Sequence, residues 1–212
     1  MEFIEQLKKE VKYLLEEGEG CHDWDHTERV YNLAIHIGKI EDADLEILGI
    51  AALLHDIGRP EEDRLKRKVC HAEIGAVMAE GILKQYCLET EKIEKIKHCI
   101  ERHRFSKGKP PESREAKILY DADKLDNIGA IGILRAANYS GTYRARTHNP
   151  EVNYEDVRPY SKEDTAYQHY HMKLKKIKDK LFTDEAKRIA EERHKFMEDF
   201  FLRVNRECRG EA

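Results

Sequence analysis

The sequence lacks any apolar segment long enough to cross a membrane, which requires about 20 consecutive apolar residues in a helix. The first residues, from Met1 to Glu5, have no secretory signal-peptide profile. Internal repeats and low-complexity tracts are missing as well. We therefore expect a cytoplasmic globular protein with no membrane partner.

Cysteine is scarce, and its pattern does not fit a disulfide framework. The five cysteines are odd in number and include no Cys-x-x-Cys pair, which indicates reduced thiols. Three of them adjoin a histidine, but neighbouring helical residues point about 100° apart and rarely bind one ion. We predict that the cysteines are small buried hydrophobic residues.

The chain also lacks an excess of basic charge. Its 38 Lys and Arg residues against 42 Asp and Glu residues give a net charge of -4, which argues against general nucleic-acid binding. A length of 212 residues with 40% hydrophobic residues suffices for one well-cored domain.

No segment has the alternating pattern of a β-strand, whereas helical spacing of apolar residues recurs along the chain. The sequence therefore predicts an all-α protein. The helices are predicted at about 2–17, 26–40, 43–57, 70–87, 90–103, 113–138, 163–181 and 183–205. Gly18 and Gly20 are expected to end the first helix, Asp25 and Glu28 to form a capping box, and 105–111 to be a loop.

The segment from Ile47 to Leu54 is apolar at every position, so a helix formed by it would be buried on all sides. It ends in His55 and Asp56, and Gly58 and Pro60 interrupt the helix directly afterwards. Burying an unpaired ionisable pair would cost several kcal/mol. The sequence therefore predicts charged or metallic partners for His55 and Asp56.

Other ionisable residues occupy core-facing positions near the ends of further predicted helices. They are His26, His71, His103 and Asp123. Polar residues usually avoid the core, so this accumulation favours a common site over isolated structural histidines. Asp121, by contrast, is spaced four residues from Lys117 and three from Lys124, which is typical of a solvated ion-pair face.

Imidazole and carboxylate side chains together favour Mn, Fe, Co, Ni or Zn over Mg or Ca. Such an ion lowers the pKa of a bound water and supplies a hydroxide nucleophile near neutral pH. The spacing alone leaves open whether one ion or two are bound.

The order His26, His55-Asp56, Asp123 resembles the H…HD…D pattern of the HD domain superfamily of metal-dependent phosphohydrolases. The flanking residues are similar too: His26-Thr27-Glu28-Arg29-Val30, Leu54-His55-Asp56-Ile57-Gly58 and Asp121-Ala122-Asp123-Lys124-Leu125-Asp126. A small bacterial and archaeal subfamily, the nucleotide-pyrophosphohydrolase-like HD hydrolases, is similar at Asp121 to Arg135, Arg158-Pro159 and Tyr167 to Phe201. The resemblance covers most of the chain, and the ordered set is far more specific than the HD dipeptide.

The resemblance implies an HD-domain helical fold in one compact domain, 1–212, of about eight helices. Its core would span about 20–138, followed by a loop or flap at 139–162 and C-terminal helices at 163–205 packed on the core. It makes His26, His55, Asp56 and Asp123 the metal ligands. Arg29, Arg59 and Lys124 would lie near the substrate phosphates, where cations stabilise charge on phosphoryl oxygens. For Lys124 this conflicts with the solvated face predicted above unless its long side chain reaches the rim of a cleft.

His71 and His103 match positions at which two-metal members of the superfamily carry further ligands. In a one-metal site they would instead contact phosphate or act as a general acid. We expect one tightly bound ion, with Asp56 also accepting the proton of the attacking water. Arg144 and Arg146 lie in the loop 141–161, which is either a flap over a polyanionic substrate or a mobile surface segment.

The resemblance thus implies hydrolysis of a small phosphorylated substrate, with a nucleoside triphosphate cleaved to monophosphate and pyrophosphate as the leading expectation. One alternative is a two-metal phosphodiesterase for cyclic nucleotides or dinucleotides. Another is a non-catalytic regulatory module whose metal site is structural and coordinatively closed.

Overall fold

The computed structural model describes residues 2–15, 23–66, 68–104 and 110–212. Within them it contains ten α-helices, three short 3-10 helices and no strand, which confirms the predicted all-α class. Contacts divide the chain into two compact units, Met1–Asp123 (unit 1) and Lys124–Ala212 (unit 2). The single domain predicted for 1–212, with its internal boundaries, stays a prediction. None of the described helices is long and apolar enough to span a membrane.

Unit 1 contains the first seven helices apart from the last two residues of the seventh. They are α1 (Glu2–Leu15), α2 (Trp24–Ile40), α3 (Leu45–Leu54), α4 (Arg59–Arg64), α5 (His71–Gln85), α6 (Thr90–Arg102) and α7 (Arg114–Leu125). The short helix α4 lies between the helices predicted at 43–57 and 70–87, and Pro60 in its first turn favours a helix start there. The predicted glycine end of α1 and the loop residues 105–109 lie outside the described residues.

Helix α3 forms the centre of unit 1, because every residue from Ile47 to Leu54 is buried, as predicted. It packs against α2 and α6. Gly38 allows the close approach of α2, since a Cβ there would lie 2.5 Å from Cδ2 of Leu48. This burial holds the end of α3, and with it His55, inside unit 1.

The start of α2 corrects one prediction. Asp23 is the N-cap residue, and its side chain accepts a hydrogen bond of 2.9 Å from the backbone N–H of His26. The capping box predicted at Asp25 and Glu28 is therefore wrong. The cap fixes the first turn of α2, which carries His26.

Unit 2 contains α8 (Gly129–Thr142), α9 (Ala166–Met172) and α10 (Asp184–Cys208), with 3-10 helices at Tyr154–Asp156, Leu174–Lys176 and Lys178–Lys180. The continuous helix predicted over 113–138 is wrong, because the chain breaks between α7 and α8. Gly129 has φ +82°, outside the helical region, and Arg135 donates to the backbone oxygen of Asp126 at 3.1 Å. The predicted helix 163–181 is likewise reduced to α9 and two 3-10 turns.

The segment 141–161 is anchored within unit 2 by a buried amide. Asn149 has no exposed surface; it donates to the carbonyl of Glu163 at 2.9 Å and accepts from the Thr165 hydroxyl at 2.6 Å. Gln168 donates to the Asn149 carbonyl at 2.9 Å and to the Val152 carbonyl at 3.1 Å. These buried bonds give the segment a defined conformation, although its role as a flap stays a prediction.

Two predictions about burial are wrong. Asp121 is fully buried rather than solvated, because all residues from Leu119 to Asp123 are buried in the last turns of α7. Of the cysteines, Cys99 is buried as predicted, but Cys87 and Cys208 are exposed at helix ends. Spacing from charged residues therefore did not identify the solvated face of α7.

Candidate metal centre

The ionisable residues predicted to face the core meet inside unit 1. Each lies at or near a helix end: His26 in the first turn of α2, His55 and Asp56 directly after α3, His71 first in α5, His103 directly after α6, and Asp123 near the end of α7. All six are at most 7% exposed. Helix ends therefore bring together side chains that are far apart in the sequence.

Asp56 lies at the centre of this cluster, with one carboxylate oxygen facing each side. Its Oδ2 lies 3.6 Å from Nε2 of His26 and 3.6 Å from Nε2 of His55. Its Oδ1 lies 3.3 Å from Nε2 of His71 and 3.5 Å from Nε2 of His103. Asp123 joins the first side, because its Oδ1 lies 3.5 Å from Nε2 of His26.

The cluster contains two groups of residues that could hold a metal ion, and within each group the ligand atoms lie within 4.8 Å of one another. The first group is His26, His55 and Asp123, and the second group is Asp56, His71 and His103. All four predicted metal ligands are therefore brought together, and His71 and His103 lie beside them.

The separations between these atoms fit ligands of a common ion. Two atoms that each lie about 2.1 Å from a transition metal are about 3.0 to 3.4 Å apart at octahedral or tetrahedral angles. The observed 3.3–3.6 Å between imidazole nitrogens and carboxylate oxygens is longer than a good hydrogen bond. In addition, the buried Nε2 of His55 has no hydrogen-bond partner among the described residues. The donor set therefore suits a divalent transition metal.

Backbone carbonyls orient two of the histidine rings. Nδ1 of His55 lies 2.8 Å from the Ala52 oxygen, and Nδ1 of His103 lies 2.6 Å from the Ile100 oxygen. Because a carbonyl only accepts, Nδ1 must donate in both rings, and in a neutral ring this leaves Nε2 unprotonated. Both lone pairs therefore face the carboxylates, as metal ligation requires.

Burial keeps the rings of His55 and His71 neutral. It lowers the pKa of His55 to about 4, even though the adjacent Asp56 carboxylate acts in the opposite direction. Burial likewise lowers the pKa of His71 to about 3, again against the effect of Asp56. Both imidazoles are therefore available to bind a metal at neutral pH.

Close backbone packing brings α5 to the His55–Asp56 turn. A Cβ on Gly58 would overlap the backbone oxygen of His71 and lie 2.8 Å from the backbone nitrogen of Gly75. Only glycine fits at this contact. Gly58 thus places His71 next to Asp56.

Sequence reasoning missed two residues beside the second group, Glu62 and Arg104. Glu62 is 4% exposed, and its carboxylate accepts from Arg59 at 3.1 Å and from Arg104 at 2.7 Å. Its Oε2 also lies 2.9 Å from Nδ1 of His71. Burial alone would raise the pKa of Glu62, but His71 and the arginines outweigh it and lower the pKa to about 2. The available signal was Pro60, which favours a helix that places Glu62 one turn after Arg59.

The predicted substrate-binding residues have different surroundings. Arg59 lies beside the cluster, and its Nε donates to Oδ1 of Asp56 at 3.0 Å. Arg29 is half-buried one helical turn after His26. The other three belong to unit 2: Lys124 is half-buried, Arg144 is exposed, and Arg146 pairs with Glu151 at 2.7 Å and Glu163 at 3.1 Å. Their roles stay predictions.

Comparison with known proteins agrees with this geometry. The HD domain family matches residues 23–128, which include all six clustered residues. The uncharacterized protein YpgQ of Bacillus subtilis is 35% identical over 213 residues, which cover 97% of this chain and 94% of YpgQ.

Solved structures extend the similarity to the whole fold. An HD-superfamily hydrolase from Bacillus thuringiensis is 32% identical with a TM-score of 0.78, covering 98% of this chain and 97% of the other. A crystal structure of Bacillus subtilis YpgQ in complex with ADP is 31% identical with a TM-score of 0.73, covering 96% and 94%. The chain therefore belongs to the HD domain family.

Proposed function

We propose that this protein is a metal-dependent phosphohydrolase that cleaves nucleoside triphosphates to monophosphates and pyrophosphate. The observation that carries the proposal is the arrangement around Asp56, whose two carboxylate oxygens face four imidazole nitrogens in a buried cluster. Nothing in the packing of unit 1 requires so many buried ionisable groups, and a metal-assisted hydrolysis does.

A nucleotide is the favoured substrate because YpgQ, similar over nearly the whole chain, was crystallised with ADP. Arg59 supports a polyanionic ligand near the cluster. Its Nε donates to Asp56 and its Nη1 donates to Glu62, whereas the third guanidinium nitrogen, Nη2, has no acceptor among the described residues. This nitrogen is available to a phosphoryl oxygen.

In the proposed reaction, water attacks the α-phosphorus and the bond to the oxygen that bridges to the β-phosphorus breaks, so pyrophosphate leaves. A divalent transition metal held by His26, His55, Asp56 and Asp123 would lower the pKa of that water. Oδ1 of Asp56 would accept the water proton. The proposed ion is Mn, Fe, Co, Ni or Zn, with one ion per chain.

His71 and His103 face Oδ1 of Asp56 from the opposite side of the cluster. In the proposed mechanism Nε2 of one of them takes the water proton from Oδ1 of Asp56 and then, as general acid, passes it to the leaving pyrophosphate oxygen. Arg59 compensates the charge that develops on the phosphoryl oxygens. Arg29, Lys124, Arg144 and Arg146 are proposed further contacts for the substrate.

The second group of possible ligands favours one alternative. If Asp56, His71 and His103 hold a second ion, a two-metal phosphodiesterase acting on cyclic nucleotides or dinucleotides becomes the better assignment. A non-catalytic module with a closed structural metal is the remaining alternative, and it would hydrolyse none of these compounds.

The test is a panel of nucleoside triphosphates, diphosphates and cyclic nucleotides incubated with the purified protein and Mn²⁺, with phosphate and pyrophosphate measured separately. We expect monophosphate and pyrophosphate from triphosphates, and a loss of more than about 100-fold in Asp56→Asn, because removing even an outer partner of a metal ligand costs about 10- to 100-fold. Asp63→Asn is the matched control, since Asp63 is an exposed carboxylate on α4.

Failure to release phosphate or pyrophosphate from any compound would contradict the proposal. Full activity of Asp56→Asn would contradict the assigned site. Hydrolysis of cyclic compounds only would transfer the assignment to the phosphodiesterase.

A further inference from the structure

Of the three clustered histidines whose Nδ1 contacts are described, His55, His71 and His103, His71 is the one oriented by a side chain. His55 and His103 are oriented by backbone carbonyls of the preceding helical turn. His71 is oriented by Glu62, whose Oε2 lies 2.9 Å from Nδ1. Glu62 is also 3.4 Å from the backbone N–H of His71 through Oε1. The tautomer of His71 is thus controlled by a residue that can be replaced.

The neighbours of Nδ1 identify where the ring proton lies. Without a proton, the Nδ1 lone pair would face a carboxylate oxygen at 2.9 Å, which is repulsive. Nη1 of Arg104 also lies 3.1 Å from Nδ1 of His71, but Oε1 of Glu62 is a closer acceptor for Arg104 at 2.7 Å. The proton therefore lies on Nδ1 and is donated to Glu62.

This tautomer is electrostatically unfavourable within the second group. Nε2 of His71 lies 3.2 Å from Nε2 of His103, whose Nδ1 donates to the Ile100 carbonyl. Both nitrogens also face Oδ1 of Asp56 at 3.3 and 3.5 Å. Moving the His71 proton to Nε2 would relieve this repulsion, because it could then be donated to Asp56 or His103.

We infer that Glu62 is a positioning residue that holds the ring proton of His71 on Nδ1 and keeps Nε2 unprotonated toward Asp56 and His103. The resulting concentration of lone pairs favours a cation or a substrate proton in the second group. The consequence for catalysis rests on the proposed function, whereas the tautomer itself does not.

Arg59 and Arg104 hold the carboxylate of Glu62 in place. Both guanidinium groups donate to Glu62, and Arg59 also donates to Asp56. Arg59 thus links the two carboxylates, and Glu62 has a fixed position relative to the second group. An amide cannot replace it, since either orientation of glutamine would turn its NH2 toward one of the arginines.

The experiment measures the His71 tautomer in chelated protein without nucleotide, by long-range ¹H–¹⁵N NMR of the histidine rings at neutral pH. His71→Gln assigns the signals. We expect the proton on Nδ1 in the wild type and mainly on Nε2 in Glu62→Ala. Glu62→Gln is the second variant, which preserves side-chain volume if the alanine variant does not fold, and it is expected to change in the same direction. Glu61→Gln, a neighbour paired with Arg64 on the surface, is the control and should match the wild type.

A wild-type proton on Nε2, or an unchanged tautomer in the Glu62 variants, would overturn the inference. The tautomer is measured without nucleotide, so this result does not depend on the proposed function. If the Glu62 variants change the tautomer but the wild type hydrolyses no nucleotide in the separate panel, the proposed function is contradicted and this inference stands.

Discussion

The two groups around Asp56 differ in what holds their side chains. In the first group, His55 is oriented by a backbone carbonyl at the end of the buried helix α3, and the group lies among fully buried apolar residues. In the second group, His71 is held by Glu62, which is itself bound to two partly exposed arginines. The first group therefore depends on the fold, whereas the second depends at His71 on charged side chains, although a backbone carbonyl orients His103.

This difference suggests a division of tasks within one site. A group fixed by the backbone and by packing suits permanent metal binding, because its geometry costs little reorganisation. A group fixed by side chains beside the arginines suits contact with substrate and proton transfer.

We expect the largest effects, on bound metal and on activity, in the variants His55→Gln and His103→Gln, and the two variants should differ in metal content. We expect His55→Gln to lose both bound metal and activity, because His55 presents a lone pair that no described residue satisfies by a hydrogen bond. His103→Gln should retain its metal but lose activity by about 10²- to 10⁴-fold, the contribution of a general acid. Metal content by mass spectrometry and the rate of pyrophosphate release measure the two effects, with circular dichroism as the check on folding.

If the wild type binds two ions and His103→Gln only one, the second group is a metal site and the division of tasks is wrong. The two-metal phosphodiesterase then becomes the favoured function.

A smaller effect should follow from Gly58→Ala, which disturbs the backbone contact that joins the groups. The new Cβ would overlap the His71 backbone oxygen, so we expect a loss of about 1 to 3 kcal/mol in the free energy of unfolding, typical of overpacking. Gly81→Ala is the control, because a Cβ there meets nothing within 4 Å and alanine favours the helix by about 1 kcal/mol. Urea denaturation measures both; equal stability of the two variants would contradict the assigned contact.

The smallest effect concerns how the free energy of unfolding of the chelated protein depends on pH. The pKa is about 4 for His55 and about 3 for His71, below the value of about 6.5 in an unfolded chain. The unfolded state thus binds more protons below pH 6.5, so the free energy of unfolding should fall as the pH falls from 6.5 toward 4. We expect about 1 kcal/mol for each histidine between pH 7 and 5.5.

Urea denaturation at these two pH values measures the effect, and His55→Gln should show a smaller change than the wild type. A chelated protein that is equally stable at both values would show that the histidines are not buried as neutral rings.

The sequence predicted the cluster where burial and polarity conflict. His55 and Asp56 end an apolar helix, and His26, His71, His103 and Asp123 interrupt apolar stripes, so each was recognisable from its neighbours along one helix. Glu62 was not recognisable in this way, because it lies in a charged run and its burial depends on partners up to 42 residues away. The prediction for Asp121 was wrong for the opposite reason. Its spacing from lysines suggested a solvent-exposed side chain, but packing buries it.

The fold shows the same limit. The helices of unit 1 with strong apolar periodicity were predicted within a few residues. The break between α7 and α8 was not, because it requires the positive φ of Gly129 and the bond from Arg135 to Asp126, which local spacing does not reveal. Periodicity thus locates helices, and contacts distant in sequence decide where they end.

Hydrolysis of ATP with Mn²⁺ in ¹⁸O-labelled water, with the products analysed by ³¹P NMR, identifies the phosphorus atom that the water attacks. We predict AMP that carries the label, unlabelled pyrophosphate, and no reaction when a chelator replaces the metal. Intact ATP, a reaction that proceeds equally in chelator, or label found only in inorganic phosphate would contradict the proposed function.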